Sequence, residues 1–135
     1  MGVTAPLTDW DLELLTGGNY AALVTLYEDG APHATVTWVD AADGHVLVNT
    51  AEGRRKDRNL RRDPRAAVTV IGEDFYRWAS IQGPVVDRVT GPEAEAHIDT
   101  LSRRYDGEPW TPVAGQVRVL YRIEPQRIIR YPHRR

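Results

Sequence analysis

The 135-residue chain contains no cysteine, one methionine, one phenylalanine and one lysine. The lack of cysteine excludes disulfides, thiolate metal sites and cysteine nucleophiles. No apolar run approaches the about 18 residues that a membrane-spanning helix needs, and the first residues carry neither the basic nor the apolar segment of a secretion signal. We therefore expect a cytoplasmic protein without a membrane partner.

Positive charge is absent from the first 53 residues and then becomes concentrated. Residues 54–65 contain six arginines and the single lysine, Lys56, against two aspartates. The net charge of the chain is only −2, which disfavours a general affinity for nucleic acid. Two interpretations of the cationic stretch stay open on the residues alone: a solvated helix face with charge pairs, or a site for phosphate.

The length and composition predict a single domain over residues 1–135. A short first helix is predicted to begin at the N-cap Thr8, with Asp11 as its capping partner, and to end at Gly17 and Gly18. Alternating or β-branched apolar residues predict strands at residues 20–28, 32–40, 45–50, 66–72, 75–83 with a continuation over 85–89, and 116–124 with 128–131 as a candidate extension. Turn signals at residues 29–30 and 43–44 indicate that the first three strands form an antiparallel meander.

Two further helices are predicted. The stretch 54–62 has a helical composition but one good apolar anchor, Leu60, so we expect a short, mostly exposed helix. A later helix begins near Gly91 and Pro92 and carries an apolar stripe of Ala94, Ile98, Leu101 and Tyr105. The arrangement favours a mainly β fold with peripheral helices, a closed or split antiparallel barrel of six to seven strands; an open α+β sheet is the alternative.

One run of residues resembles a known family closely. The run consists of Asn49-Thr50, then Ala51-Glu52-Gly53, then Arg54 and Lys56 two apart, and then Asn59-Leu60-Arg61-Arg62-Asp63-Pro64-Arg65-Ala66. It is similar to the flavin and deazaflavin reductases of the split β-barrel group, which include pyridoxamine-phosphate-oxidase-like proteins and actinobacterial relatives that use coenzyme F420. The resemblance implies an FMN-binding-like split barrel that forms a homodimer, with each cofactor in a groove between subunits.

The resemblance also implies cofactor-binding residues. Arg54 and Lys56 would hold a phosphate of coenzyme F420 or, alternatively, FMN, and Arg55, Arg58 and Asn59 are weaker candidates for an acidic tail. The second predicted strand would line the cofactor ring through Thr35, Val36, Thr37 and Trp38. Asn49 and Thr50 would form the corner at which the third predicted strand passes into the following loop. Trp78 would lie near the acceptor or the partner's cofactor. The plainer alternatives are an exposed strand face for Thr35 and Thr37 and a core or interface aromatic for Trp78.

No catalytic side chain and no metal site are expected. His33, His45, His97 and His133 lack ligand spacing, and no nucleophile elbow, dinucleotide fingerprint or P-loop is present. Hydride chemistry belongs to a bound cofactor, so no side-chain base is required. The resemblance implies an F420-dependent reductase of a conjugated small molecule. The alternatives are an FMN-dependent enzyme like pyridoxamine-phosphate oxidase, or a non-catalytic carrier or sensor of F420, flavin or haem.

Overall fold

The computed structural model describes residues 5–132 and shows eight strands and three helices in that range. The strands are β1 (Ala21–Leu26), β2 (Pro32–Thr37), β3 (Asp40–Ala42), β4 (His45–Ala51), β5 (Arg65–Ile71), β6 (Trp78–Thr90), β7 (Arg118–Ile123) and β8 (Arg127–Tyr131). The helices are α1 (Asp9–Thr16), α2 (Arg55–Arg62) and α3 (Pro92–Asp106). Of the sequence-based interpretations, those of residues 1–4 and of His133 lie outside the described residues.

The strands form one curled antiparallel sheet in the order β2-β1-β5-β6-β7-β4-β3, with β8 paired to β6. The fold is therefore mainly β, a split barrel as expected, although its described part has eight strands instead of six or seven. The long strand β6 bends the sheet, because its first half pairs with β5 and β8 and its second half with β7, with a bulge between Val85 and Asp87. The open-sheet alternative is thereby set aside.

A glycine permits the bend in β6. A Cβ atom at Gly83 would lie 1.7 Å from the carbonyl oxygen of Glu124, so no larger residue fits without backbone movement. The next two residues of β6 are held by backbone bonds: Glu124 N donates to Pro84 O at 2.9 Å, and Val85 N donates to Pro64 O at 2.7 Å. Strand β6 thus continues through Pro84, and its bulge follows at once.

The predicted three-stranded meander has both of its turns but is wrong in its middle strand, which is split into β2 and β3. Strand β2 pairs with β1, whereas β3 pairs with β4 at the opposite end of the sheet order. The strand predicted over residues 32–40 is interrupted at Trp38 and Val39. Val39 is fully buried there, and its backbone N–H is bound by a tyrosine hydroxyl. Val39 N donates to the Tyr105 hydroxyl at 3.0 Å, and that hydroxyl donates to Asn19 O at 2.6 Å.

Apolar residues from all parts of the chain fill the barrel, including Leu14, Leu15, Leu23, Val46, Val48, Val68, Val70, Ile81, Val119, Tyr121 and Ile123. The first helix has the predicted capping box of Thr8 and Asp11, and α3 buries Ala94, Ile98 and Leu101 as predicted. The fully buried Asp11 also accepts two 2.7 Å bonds from Arg130 of the last strand. The predicted strand over residues 116–124 begins later, because Val117 precedes β7 and is 43% exposed.

Two other local predictions need correction. Strand β6 begins at Trp78, not residue 75, because Phe75 adopts a positive φ in the preceding turn. Helix α2 is not mostly exposed: besides Leu60, both Asp57 and Asn59 are fully buried. These two polar side chains can be buried because each is hydrogen-bonded to another part of the chain. The amino-acid composition of the helix does not reveal these partners.

Candidate functional site

A groove of about 270 Å³ lies between the start of α2, the end of β2 and helix α3. The residues that line it are Tyr20, Val36, Thr37, Trp38, Asn49, Arg54, Lys56, Ile98, Leu101, Trp110 and Arg118. Six of them are predicted cofactor-binding residues: Val36, Thr37, Trp38, Asn49, Arg54 and Lys56. The structure thus brings the predicted phosphate pair and three of the four residues of the predicted ring wall to one place.

Three cations meet in the groove. Arg54 is the N-cap of α2, Lys56 lies one residue into that helix, and Arg118 opens β7. Burial lowers the pKa of the Lys56 ammonium, and the charges of Arg54 and Arg118 lower it further. Burial and the Arg54 charge lower the pKa of Arg118 to about 10, so its guanidinium remains charged at neutral pH. Three like charges held together are the arrangement that an anion relieves.

No carboxylate within residues 5–132 lies at salt-bridge distance from these three cations. Three of the five other basic residues of the stretch are paired, whereas Arg58 and Arg61 are exposed to solvent. Arg55 and Arg62 pair with Glu28 at 3.4 and 3.1 Å, and Arg65 pairs with Asp63 at 2.8 Å. The cationic stretch therefore divides into arginines that are paired or exposed to solvent and an unpaired group that faces the groove.

The start of α2 is fixed by a buried carboxylate. Asp57 Oδ2 accepts from Gly53 N at 2.9 Å, and Asp57 also accepts from the Tyr121 hydroxyl and from Arg88 Nε at 3.2 Å. Burial acts to raise the pKa of Asp57, but the bonds from Tyr121, Gly53 and Arg88 outweigh it and leave that pKa lowered. Asp57 thereby sets the position of the loop and helix turn that carry Arg54 and Lys56.

Arg118 is the groove residue that the sequence analysis missed. Its side chain is 7% exposed, and Nε donates to Asn49 Oδ1 at 3.0 Å while Nη1 donates to Gln116 Oε1 at 3.1 Å. The guanidinium carbon also lies 5.0 Å from the ring centre of Trp110. Alternation along residues 116–124 provides a signal, because it places Arg118 on the face of the strand opposite Val119 and Tyr121.

Aromatic side chains form the apolar wall beside the cations. Trp38 stacks on Tyr105 with ring centres 5.1 Å apart, and Tyr20 contacts the same tyrosine at 5.5 Å. Burial raises the pKa of Tyr105, so its hydroxyl stays protonated and donates to Asn19 O. The wall is therefore held by a tyrosine on α3 that does not itself line the groove.

Strand β2 offers backbone groups as well as side chains. Within residues 5–132 it pairs with β1 alone. The backbone N–H and C=O groups on its other edge are therefore not hydrogen-bonded to a neighbouring strand in that range. The hydroxyl of Thr35 is buried and has no hydrogen-bond partner in the described part of the chain. A polar ligand edge placed along β2 would meet these donors and acceptors.

Several predicted residues lie outside the groove. Thr50 is buried on the opposite side of β4 from Asn49, Asn59 donates from its buried amide to the Thr25 hydroxyl at 3.0 Å, and Arg58 is exposed. Trp78 stacks on Tyr131, with ring centres 5.8 Å apart, and lines a separate depression on the outer face of the sheet. Within a single chain these residues do not reach the group of Arg54, Lys56 and Arg118. Thr35 and Arg55, described above, do not line the groove either.

Neither a metal cluster nor a membrane helix is found in the described part of the chain. No three His, Asp or Glu side chains within residues 5–132 are grouped to hold a metal ion. The longest helix in that range, α3, has 15 residues, and none of the helices there could span a bilayer. His97 instead contacts Asp40, with Nε2 and Oδ2 3.1 Å apart.

The split barrel, the cationic groove and the sequence together define the class of protein. The chain belongs to the pyridoxamine 5′-phosphate oxidase family, whose model matches residues 7–130. The family resemblance of the run from Asn49 to Ala66 is thereby confirmed. The protein is a member of a superfamily of oxidoreductases that bind flavin or deazaflavin cofactors.

Individual relatives agree with this assignment. A pyridoxine/pyridoxamine 5′-phosphate oxidase of Azorhizobium caulinodans is 33% identical over 87 residues, which make up 63% of this chain and 40% of that relative, so the chain spans less than half of its length. A solved F420 reductase superposes with a TM-score of 0.77 at 30% identity, over 87% of this chain and 94% of the other. A conserved hypothetical protein from Mycobacterium tuberculosis gives 0.75 at 26% identity, over 100% of this chain and 94% of the other.

Proposed function

We propose that the protein is a coenzyme F420-dependent reductase that transfers a hydride from the reduced deazaflavin to a conjugated small molecule. The observation that carries the proposal is the group of Arg54, Lys56 and Arg118, which meets in one groove without a carboxylate partner in the described residues. Phosphate is a natural ligand for such a group, and both F420 and FMN carry one. The match to a solved F420 reductase extends over 87% of this chain, against 63% for the oxidase from Azorhizobium caulinodans, and this supports F420 over FMN.

The residues of the groove match the parts of such a ligand. The three cations would bind the phosphate with charge-assisted hydrogen bonds, each worth about 1.5–3 kcal/mol. Trp38, Val36 and the free edge of β2 would hold the flat ring and its polar rim. The deazaflavin supplies the hydride when bound, and the chain positions donor and acceptor and keeps water away.

A single chain provides only part of this site. The groove volume of about 270 Å³ falls below the roughly 300–1,000 Å³ of sites that enclose a ligand. The outer face of β1, β5, β6 and β8 carries apolar side chains that the chain itself leaves half-exposed or exposed, among them Val24, Leu26, Ile71, Trp78 and Ile129. We infer that a second copy covers this face and completes the groove, as a homodimer.

Trp78 acquires a role in that dimer. It lies on the outer face, beside Ile71 and Ile129 in a depression of about 490 Å³, and away from its own chain's cations. In the proposed homodimer Trp78 would approach the partner's cofactor and contact the acceptor. The plainer alternative, an aromatic residue that only packs at the interface, predicts no effect of its substitution on turnover at saturating cofactor.

The reaction is tested by following the absorbance of reduced F420 under anaerobic conditions with a panel of acceptors such as enones, quinones and tetrapyrroles. We expect F420 to be reoxidised with at least one acceptor and NADPH to be unable to replace it. Turnover with W78F near wild type and with W78A reduced would support contact between Trp78 and the acceptor. F420 binding without turnover on any acceptor would instead favour a carrier or sensor.

The second candidate is an FMN-dependent oxidase, which the relative from Azorhizobium caulinodans favours through its 33% identity. The two candidates are separated by purifying the protein from a host that lacks F420 and recording its spectrum. A bound yellow flavin, or binding of FMN and not of F420 by titration, would move the protein to the FMN-dependent branch. Binding of neither cofactor would contradict both proposals.

A further inference from the structure

A chain of hydrogen bonds joins the groove to a histidine whose side chain is 9% exposed. Asn49 Oδ1 accepts from Arg118 Nε at 3.0 Å, and Asn49 Nδ2 donates to Ala94 O at 3.0 Å and lies 3.2 Å from His97 Nδ1. On its other side, His97 Nε2 lies 3.1 Å from Asp40 Oδ2. The path thus leads from a cation of the groove, through one amide, to a histidine and an aspartate on α3 and β3.

The amide of Asn49 has one acceptable orientation. A flipped amide would point its NH₂ group at the Arg118 guanidinium and its oxygen at the Ala94 carbonyl, so two favourable contacts would become repulsive. Because Nδ2 must then face His97, the Nδ1 atom of that ring has to be the acceptor. The proton of a neutral His97 therefore belongs on Nε2, where it is donated to Asp40.

Protonation of His97 would break this pattern. It places a second N–H on Nδ1, opposite the N–H of Asn49, and the repulsion between these two donors displaces the amide and weakens its bond to Arg118. The charged groups around His97 act in both directions: Asp40 on β3 favours the cationic ring, whereas Arg104 on the same helix, 2.8 Å from Asp40, and Arg118 on β7 oppose it. Strand β6 contributes the apolar Val89 to this side of α3.

We propose that His97 is a positioning residue for the anion site: in its neutral form it holds Asn49 in the orientation that aims Arg118 into the groove, and its protonation weakens anion binding. This inference rests on the proposed function insofar as the anion is the cofactor phosphate. Histidine suits such coupling because its charge changes between about pH 5 and 8. A protonated His97 would weaken anion binding through Asn49 and Arg118, but its own charge would attract the anion directly. The two effects have opposite signs, so the direction in which anion affinity changes with pH decides between them.

The first test uses the protein without ligand. Long-range proton–nitrogen NMR, with the His97 signals assigned from H97N, should show the Nε2–H tautomer in the neutral ring, and the Arg118 Nε–H signal should follow the titration of His97. In N49L the Arg118 signal should no longer follow it. An Nδ1–H tautomer, or an Arg118 signal that ignores the His97 titration in the wild type, would overturn the inference whether or not any cofactor binds.

The second test measures F420 affinity at about pH 8 and about pH 5.5. The wild type should bind about fivefold or more weakly at the lower pH, a coupling of ordinary size. H97N places a permanent acceptor near the Nδ1 position and should reduce the ratio to under about twofold. H45N, which replaces a half-buried histidine outside the hydrogen-bonded path, should keep the wild-type ratio. Equal ratios in the wild type and H97N, or tighter wild-type binding at low pH, would refute the coupling, whereas no binding at either pH would refute the proposed function alone.

Discussion

Asp57 accepts a hydrogen bond from the backbone N–H of Gly53 at 2.9 Å, so the first turn of α2 is tied to the loop before it by a carboxylate that has no exposure to solvent. The same carboxylate is bonded to Tyr121 and Arg88. Two cations of the groove, Arg54 and Lys56, lie between these tied points. The anion site therefore depends on a residue that never contacts the anion.

Substitution of Asp57 with alanine should reduce the free energy of unfolding by about 3 kcal/mol, because it leaves Arg88 and the Tyr121 hydroxyl without their shared partner. Urea denaturation followed by tryptophan fluorescence measures the loss. The matched control is D63A, which removes an aspartate paired with an exposed arginine at the other end of α2. A shift in D57A no larger than that in D63A would show that the buried network contributes little.

Acid should destabilise the protein through three buried aspartates. Asp11, Asp40 and Asp57 each have a pKa below the ordinary 3.8, since hydrogen bonds from their partners outweigh the opposing effect of burial. The unfolded chain then takes up protons first, so the stabilisation is complete above pH 3.8 and is lost as the pH falls through the lower folded values. Urea midpoints measured at decreasing pH should fall steeply in this range. The fall should be shallower in D11N, and an equal slope would contradict the assignment for Asp11.

Replacing both Arg54 and Lys56 with alanine should weaken cofactor binding by about 2–4 kcal/mol, or roughly 30-fold to 1,000-fold in Kd. Folding should survive, because neither side chain has a salt-bridge partner in the described residues. Fluorescence titration with F420 and FMN gives the affinities, and R58A/R61A removes two exposed charges from the same helix as a control. A change under about threefold for both cofactors would place the anchor elsewhere.

Arg118 should contribute to the same anchor. R118Q removes one charge-assisted donor worth about 1.5–3 kcal/mol, so the Kd for the cofactor should rise roughly tenfold to 150-fold. R122Q is the matched control on the same strand, because Arg122 is already paired with Asp87 and Glu93 at 2.8 Å. Equal affinities of R118Q and R122Q would exclude Arg118 from the site.

The homodimer predicts a mass of twice 15.2 kDa by light scattering at micromolar concentration. A glutamate in place of Val24 should dissociate it, since Val24 lies in the apolar depression of about 560 Å³ on the outer face of the sheet. V113E introduces the same charge at an exposed loop position and should leave the mass unchanged. A monomer that still binds cofactor would refute the interfacial groove.

The sequence supports the local features better than the pairing. The cap at Thr8 and the stripe on α3 each depend on neighbouring residues, and both are present. The predicted meander failed in its middle strand, because alternation predicts a strand but not the point at which its pairing changes from one neighbour to another. What separates β2 from β3 is the Tyr105 hydroxyl on Val39, a contact between residues 66 positions apart.

The candidate site shows the same difference between features set by neighbouring residues and contacts between distant ones. Arg54, Lys56 and Asn49 fall in one recognisable run, and the fold brings them together. Arg118 is almost 70 residues away from Asn49 in the chain, and its strand was interpreted through its apolar face, so the third cation was not predicted. Asn59 looks like a surface residue in a helix of arginines, and only its distant partner Thr25 explains its burial.

The pair of Asp11 and Arg130 has a consequence for folding during synthesis. Asp11 is fully buried at the start of the first helix, and its compensating charge is one of the last residues of the described chain. A carboxylate without its partner is costly to bury, so α1 cannot settle fully onto the barrel until residue 130 has left the ribosome. The nascent chain therefore gains the full stability of α1 only after β8 has emerged, and stalled chains that end before β8 should remain sensitive to proteases at α1.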